Sequence, residues 1–159
     1  MKSIYRLILL FSLSLICSFQ VFGQEKVNLF AGVSLPEQFV IGPRIHFNQV
    51  QLGLGIGNSN YRYSVSGDIS YHFGGNTRFS EIKPWYLKGG LSKWIDHSDN
   101  PDNNLLGFYF RTGRDFNLSN KLGINIEFGI ITGKMASDFA ISGHPKLYPC
   151  WGIFFFYRI

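Results

Sequence analysis

Charge, cysteine and long apolar runs are all scarce in this chain. Charged residues make up 16% of the 159 residues, fewer than the 17% that are aromatic, and there are two cysteines, Cys17 and Cys150. Soluble domains carry about 25% charged residues, so the low value argues against an ordinary water-exposed surface. Beyond the N-terminal stretch Cys150 is alone, and one thiol closes no internal disulfide. Stability must then come from paired backbone and packing. After residue 23 no apolar run reaches the roughly 20 residues that a spanning helix needs. With Lys2 and Arg6 of the N-terminal stretch set aside, the formal charge of +5 falls by two and is too mild to mark a nucleic-acid binder.

The N-terminus is the exception to this sparseness. Lys2 and Arg6 precede a run from Leu7 to Phe22 that is apolar apart from Ser12, Ser14, Ser18 and Gln20, and Gly23 follows. A basic start, an apolar core and a small residue describe a secretory signal peptide over residues 1–23, with one domain over residues 24–159. The polar interruptions argue against a membrane anchor. The bulky Ile16 argues against a lipoprotein cut before Cys17. Cleavage after Gly23 would remove Lys2 and Arg6 and take the formal charge down by two.

What the chain has in abundance is alternation with a period of two, the mark of strands. In Tyr148–Ile159, Trp151, Ile153, Phe155, Tyr157 and Ile159 share one face, and Cys150, Gly152, Phe154, Phe156 and Arg158 lie on the other. Seven earlier segments behave alike: 26–34, 38–47, 50–57, 62–73, 83–94, 105–116 and 122–130. Most are close to the 9–11 residues with which a tilted strand crosses a bilayer. Gly42-Pro43 interrupts the second, because proline cannot donate to a ladder, and predicts a bulge or kink there. Connections after strands two, four and six centre on Asn48, Arg78 and Ser119. The longest polar loops, 95–104 and 133–147, fall among the other set. Even strand number, termini on one side and long loops on the other predict an all-β, antiparallel, eight-stranded transmembrane up-and-down barrel.

The stretches GDISYHF (Gly67–Phe73), GRDFNLSNKLGINIEFG (Gly113–Gly129) and the closing GIFFFYRI resemble the small outer-membrane barrels of the OmpA-transmembrane and OmpX type. The resemblance spans residues 26–159. Such barrels usually end in Phe, whereas this chain ends in Ile159. It implies a location in the outer membrane after export through the periplasm. It also implies contact with outer-membrane lipids and recognition of the last strand by the barrel assembly machinery. It imports no catalytic residue.

An eight-stranded lumen is only wide enough for side chains to fill it. The inward set combines glycines with Phe30, Tyr86, Tyr109, Phe154 and Phe156, and it carries charges that must be paired. With turns centred on Ser119 and Arg78, Arg111 lies directly across from Glu127, and Asp68 directly across from Lys88. Directly opposed ions of opposite sign stabilise a sheet. On the outward face, Trp85, Tyr71 and Tyr157 near one end and Trp94 and Trp151 near the other are expected as interface aromatics.

Chemistry is thinly signalled. His46 and His72 face inward near the end that holds the termini; His97 and His144 lie in loops. A nucleophilic set of Ser142, His144 and Asp138 or Asp96 requires assumed loop conformations. His97 with Asp96, Asp99 and Asp102 could hold a calcium-like ion only weakly, and the glycines of 53–57 lie in a strand, not in a phosphate loop. The expectation is a monomeric, non-enzymatic barrel without cofactor or metal, with a structural or surface-interaction role through loops 95–104 and 133–147. A narrow porin-like channel for small solutes is the alternative, and an outer-leaflet lipid-modifying enzyme the second.

Overall fold

The computed structural model describes residues 26–58, 62–96, 105–133 and 147–159. Within them the alternating segments become eight strands: β1 Val27–Leu35, β2 Gln38–Phe47, β3 Val50–Asn58, β4 Arg62–Phe73, β5 Trp85–Asp96, β6 Leu105–Asn117, β7 Leu122–Gly133 and β8 Tyr148–Arg158. Each pairs antiparallel with its sequence neighbour, and β8 pairs with β1, so the sheet closes into a barrel. Closure satisfies both edges of the final strand, for example through Ala31↔Phe155 on one side and Ile124↔Phe155 on the other, and so removes the exposed edges of an open sheet. The proposed signal segment and most of both long loops lie outside the described residues.

Strand parity decides everything about placement. Along β6 the residues alternate strictly between buried and exposed, beginning with buried Leu105. The expected faces are observed, with most Gly, Ser and charged positions inside beside the filling rings, and most Leu, Ile and Val outside. The outward face is strongly apolar: Phe39 is 68% exposed, Phe155 63%, and Leu54 and Phe128 62% each.

Three expectations about the strands change. First, Gly42-Pro43 makes no bulge. The ladder to β1 runs through it as Leu29↔Pro43 and Phe30↔Gly42, and the β3 pairing keeps one register on both sides of it, Ile41↔Ile56 and Arg44↔Gly53. The donor missing at Pro43 faces β3, where two rungs are absent without any slip. The irregularity of β2 falls instead between Gln38 and Phe39. Second, β5 starts at Trp85 and continues to Asp96, and β7 continues to Gly133, so the wall reaches into both expected loops.

Third, both charge-bearing registers are displaced by two residues. Asp68 lies opposite Gly90 and Lys88 opposite Ser70; Arg111 lies opposite Gly129 and Glu127 opposite Gly113. The β6–β7 turn is not centred on Ser119, because Ser119 Oγ accepts hydrogen bonds from the backbone N–H of Lys121 and Leu122 and thus caps one arm of it. A slip of one residue would exchange the two faces; a slip of two leaves every side chain on its own face. The predicted faces therefore survive while the predicted partners do not.

Candidate functional site

The barrel interior is the place where ionisable groups converge. Glu127, fully buried on β7, is its hub. Lys88 Nζ and Tyr86 Oη both donate to Glu127 Oε1, the latter over 2.8 Å. Arg44 approaches the same oxygen at 3.5 Å, and Arg111 reaches Oε2 at 3.4 Å. Arg111 and Glu127 thus lie within ion-pair distance as a diagonal pair instead of a directly opposed one. Asp68 and Lys88 do not form the expected pair. Displaced by two residues, the lysine turns to Glu127, and Asp68 Oδ2 accepts from Tyr109 Oη over 3.3 Å.

One member of the network is a residue that alternation could not find. Glu37 belongs to the two-residue connection between β1 and β2, yet it is 3% exposed. It folds back into the lumen, where it accepts from Ser34 Oγ at 2.8 Å and from Arg111 at 3.3 Å. A short loop containing proline and one acid reads as solvated surface. The only signal was the excess of inward cations over the three inward carboxylates Asp68, Asp115 and Glu127. A further branch runs from Arg44 through Asn125 Oδ1 to Asp115, whose Oδ1 accepts from Asn125 Nδ2. The interior thus sets Arg44, Lys88, Arg111 and Arg158 against Glu37, Asp68, Asp115 and Glu127. Charges removed from water are tolerated when paired and hydrogen-bonded in this way.

Aromatic rings complete the filling. The Arg44 guanidinium lies 4.0 Å over the centroid of Phe30, and Phe30 meets Phe154 edge to face at 5.5 Å. Glycines face the bulkiest rings: a Cβ on Gly113 would lie 2.5 Å from Tyr86 Cζ. Between Glu37, Arg44, Asp68, Lys88 and Arg111 a cavity of ≈ 20 Å³ remains, room for about one water.

The two mouths are filled differently. At the long-loop end Trp94, Leu105, Tyr109, Ile131 and Cys150 pack together. Trp94 is 1% exposed, which corrects its expected place on the outer face. Even-numbered residues of β5 point inward, and Trp94 follows that parity like Tyr86, Lys88 and Ser92. The other expected interface rings, Tyr71, Trp85, Trp151 and Tyr157, are exposed on the outer wall. Cys150 is buried as a free thiol.

At the end that holds the termini, the rings of His46 and His72 lie 5.4 Å apart with their planes inclined by 56°, and His72 packs on Tyr86 at 5.0 Å. The segment 74–84 crosses this mouth. His72 Nδ1 bonds the Lys83 carbonyl at 2.9 Å, the Lys83 N–H donates to Gln49, and Asn117 Nδ2 donates to Thr77. Within this segment Ile82 is buried. Neither histidine has a nucleophile or a carboxylate in hydrogen-bond contact. His97 and His144, with Asp99, Asp102, Asp138 and Ser142, lie outside the described residues. Among the described residues no group of three or more His, Cys, Asp or Glu could hold a metal ion.

A closed antiparallel barrel of eight strands is also the architecture of a solved structure. The N-terminal β-barrel domain of Pseudomonas aeruginosa OprF superposes with a TM-score of 0.56 over 87% of this chain and 100% of that domain. The fold is that of the OprF barrel domain. Identity between the two is 17%, so the likeness is one of architecture and not of particular side chains. No protein-family model matches the sequence, and no curated protein matches it. The small-barrel architecture expected from the sequence is thus observed.

Proposed function

We propose that this chain is an integral outer-membrane β-barrel, exported through the periplasm, with a structural or surface-interaction role and no enzymatic activity. The observation that carries the reading is polarity turned inside out. A water-soluble barrel hides its apolar residues and exposes its polar ones. Here four cations and four acids point inward, while Phe39, Leu54, Phe128 and Phe155 stand more than 60% exposed. An exposed apolar surface on this scale calls for a partner, and a belt of apolar side chains around a closed barrel suits hydrocarbon. Tyr71, Trp85 and Tyr157 near one rim and Trp151 near the other suit headgroup levels.

In this reading the chain is a monomer wrapped in outer-membrane lipid, and β8 is the strand that the assembly machinery engages. The extracellular segments 95–104 and 133–147 present its surface to partners. The filled lumen supports an anchor more than a channel, because a cavity of ≈ 20 Å³ passes no solute. Fractionation and detergent gels test the membrane location. The barrel should require detergent for extraction and should migrate faster before boiling than after; extraction into plain buffer would sink the reading. Planar-bilayer recordings test the role, and steady open conductance would replace the anchor with a narrow pore. For the absence of enzymatic activity, lipid mass spectra of cells with and without the protein should coincide.

A further inference from the structure

Charge is distributed unevenly on the outside of the barrel. On the described strands the outward positions carry two cations, Lys93 on β5 and Arg114 on β6, and no carboxylate. Arg114 sits three residues before Asn117, the last residue of β6, opposite Trp85 on one side and Ile126 on the other. Its guanidinium lies 5.0 Å from the centroid of Trp85 and 5.0 Å from that of Phe116. The two rings hold it against the wall. None of the ion pairs among the described residues involves it.

A guanidinium has five N–H donors and no acceptor. Placed on an apolar wall it needs an anion, since an uncompensated arginine facing lipid is unfavourable. Three residues of strand, at about 3.3 Å each, put its Cα about 10 Å along the strand from the rim, and strand tilt brings it nearer still to the headgroup layer. The anion that a bilayer offers at that depth is a lipid phosphate, whose paired oxygens match the fork of an arginine. Leu87, Ile126 and Phe128 form the adjacent outer wall and would seat the acyl chains of the same molecule.

We propose that Arg114, clamped between Trp85 and Phe116, is a binding site for the phosphate of a bilayer lipid in the leaflet nearest the chain termini. The inference rests on the membrane reading above. Native mass spectrometry of the full chain released from detergent tests it, with phosphatidylglycerol, diacylglycerol of the same chains and inorganic phosphate as probes. The wild type should retain one phosphatidylglycerol and no diacylglycerol, and inorganic phosphate should not displace the lipid. Losing charged hydrogen bonds should cut the adduct about tenfold in Arg114→Gln, with Arg114→Lys in between and Lys93→Gln unchanged. Heat-dependent gel mobility identifies any variant that fails to fold, and Trp85→Leu, which removes one ring of the clamp, should weaken the adduct by an independent route. Equal retention by folded Arg114→Gln, equal binding of diacylglycerol or displacement by inorganic phosphate would each overturn the site. A wild type that leaves the membrane in plain buffer would overturn the membrane reading first, so the two failures are told apart.

Discussion

The interior and the outer wall of this barrel are built from alternate residues of the same eight strands, yet they tolerate change differently. Inside, each side chain has named partners: Glu127 is shared by Lys88, Tyr86, Arg44 and Arg111. Outside, Leu52, Leu54 and Ile56 on β3 and Ile69 on the adjacent β4 are exposed side chains whose requirement is to be apolar and of roughly suitable size. A shared carboxylate in a narrow lumen is a specific arrangement in which removing one member strands the others. An apolar belt is a statistical arrangement in which one member matters little. The contrast predicts where this protein breaks.

The largest effect should come from the hub. Glu127→Gln leaves Lys88, Arg44 and Arg111 facing a neutral amide, and breaking a buried ion cluster costs about 3–5 kcal/mol. Denaturant unfolding of the detergent-solubilised barrel, or the temperature at which its fast-migrating gel form disappears, measures this. A loss below 1 kcal/mol would mean that the interior is as forgiving as the wall. Next comes a charge placed on the wall itself. Leu54→Arg, midway along β3, should cost about 2–4 kcal/mol in lipid vesicles if that face meets the bilayer midplane, and refolding yield into vesicles would report it.

Glu37→Gln should cost less than Glu127→Gln, about 1–3 kcal/mol, because Arg111 keeps its bond to Glu127. A double variant of Glu37 and Glu127 should depart from additivity, since both acids share Arg111; strict additivity would show that they do not communicate. The smallest effect belongs to the wall: Ile56→Val should shift unfolding by no more than about 0.5 kcal/mol. Tryptophan quenching by brominated lipid sharpens the same contrast without touching stability. Trp85 and Trp151 should be quenched and Trp94 protected, which single-tryptophan variants resolve.

Much of the architecture was legible because a strand has a period of exactly two residues and a barrel has two faces of opposite character. Val65, Ile69 and Tyr71 against Ser64, Ser70 and His72 needed no tertiary information to be assigned. Trp94 was legible too, by the parity of Tyr86 and Lys88, but an aromatic near a strand end invites the interface reading. Glu37 was not legible, since a connection has no periodicity and only the geometry of the β1–β2 turn sends its carboxylate inward. Nor were the partners of Asp68 and Arg111, because turn centres estimated from polar residues fall one position short, which moves every cross-strand partner by two. The loop histidines offer no comparable pattern.

Alternation, composition and strand count are local properties, and by themselves they determined that this chain forms eight strands with an apolar outside and a charged inside. They did so because a wrong face would expose or bury every side chain of a strand at once. Register, by contrast, changes no face when it slips by two, so the sequence pattern is blind to it. Only the closed sheet, with Ser119 capping one turn and Glu37 folded back from another, decided that Lys88, Arg44 and Arg111 meet at one carboxylate.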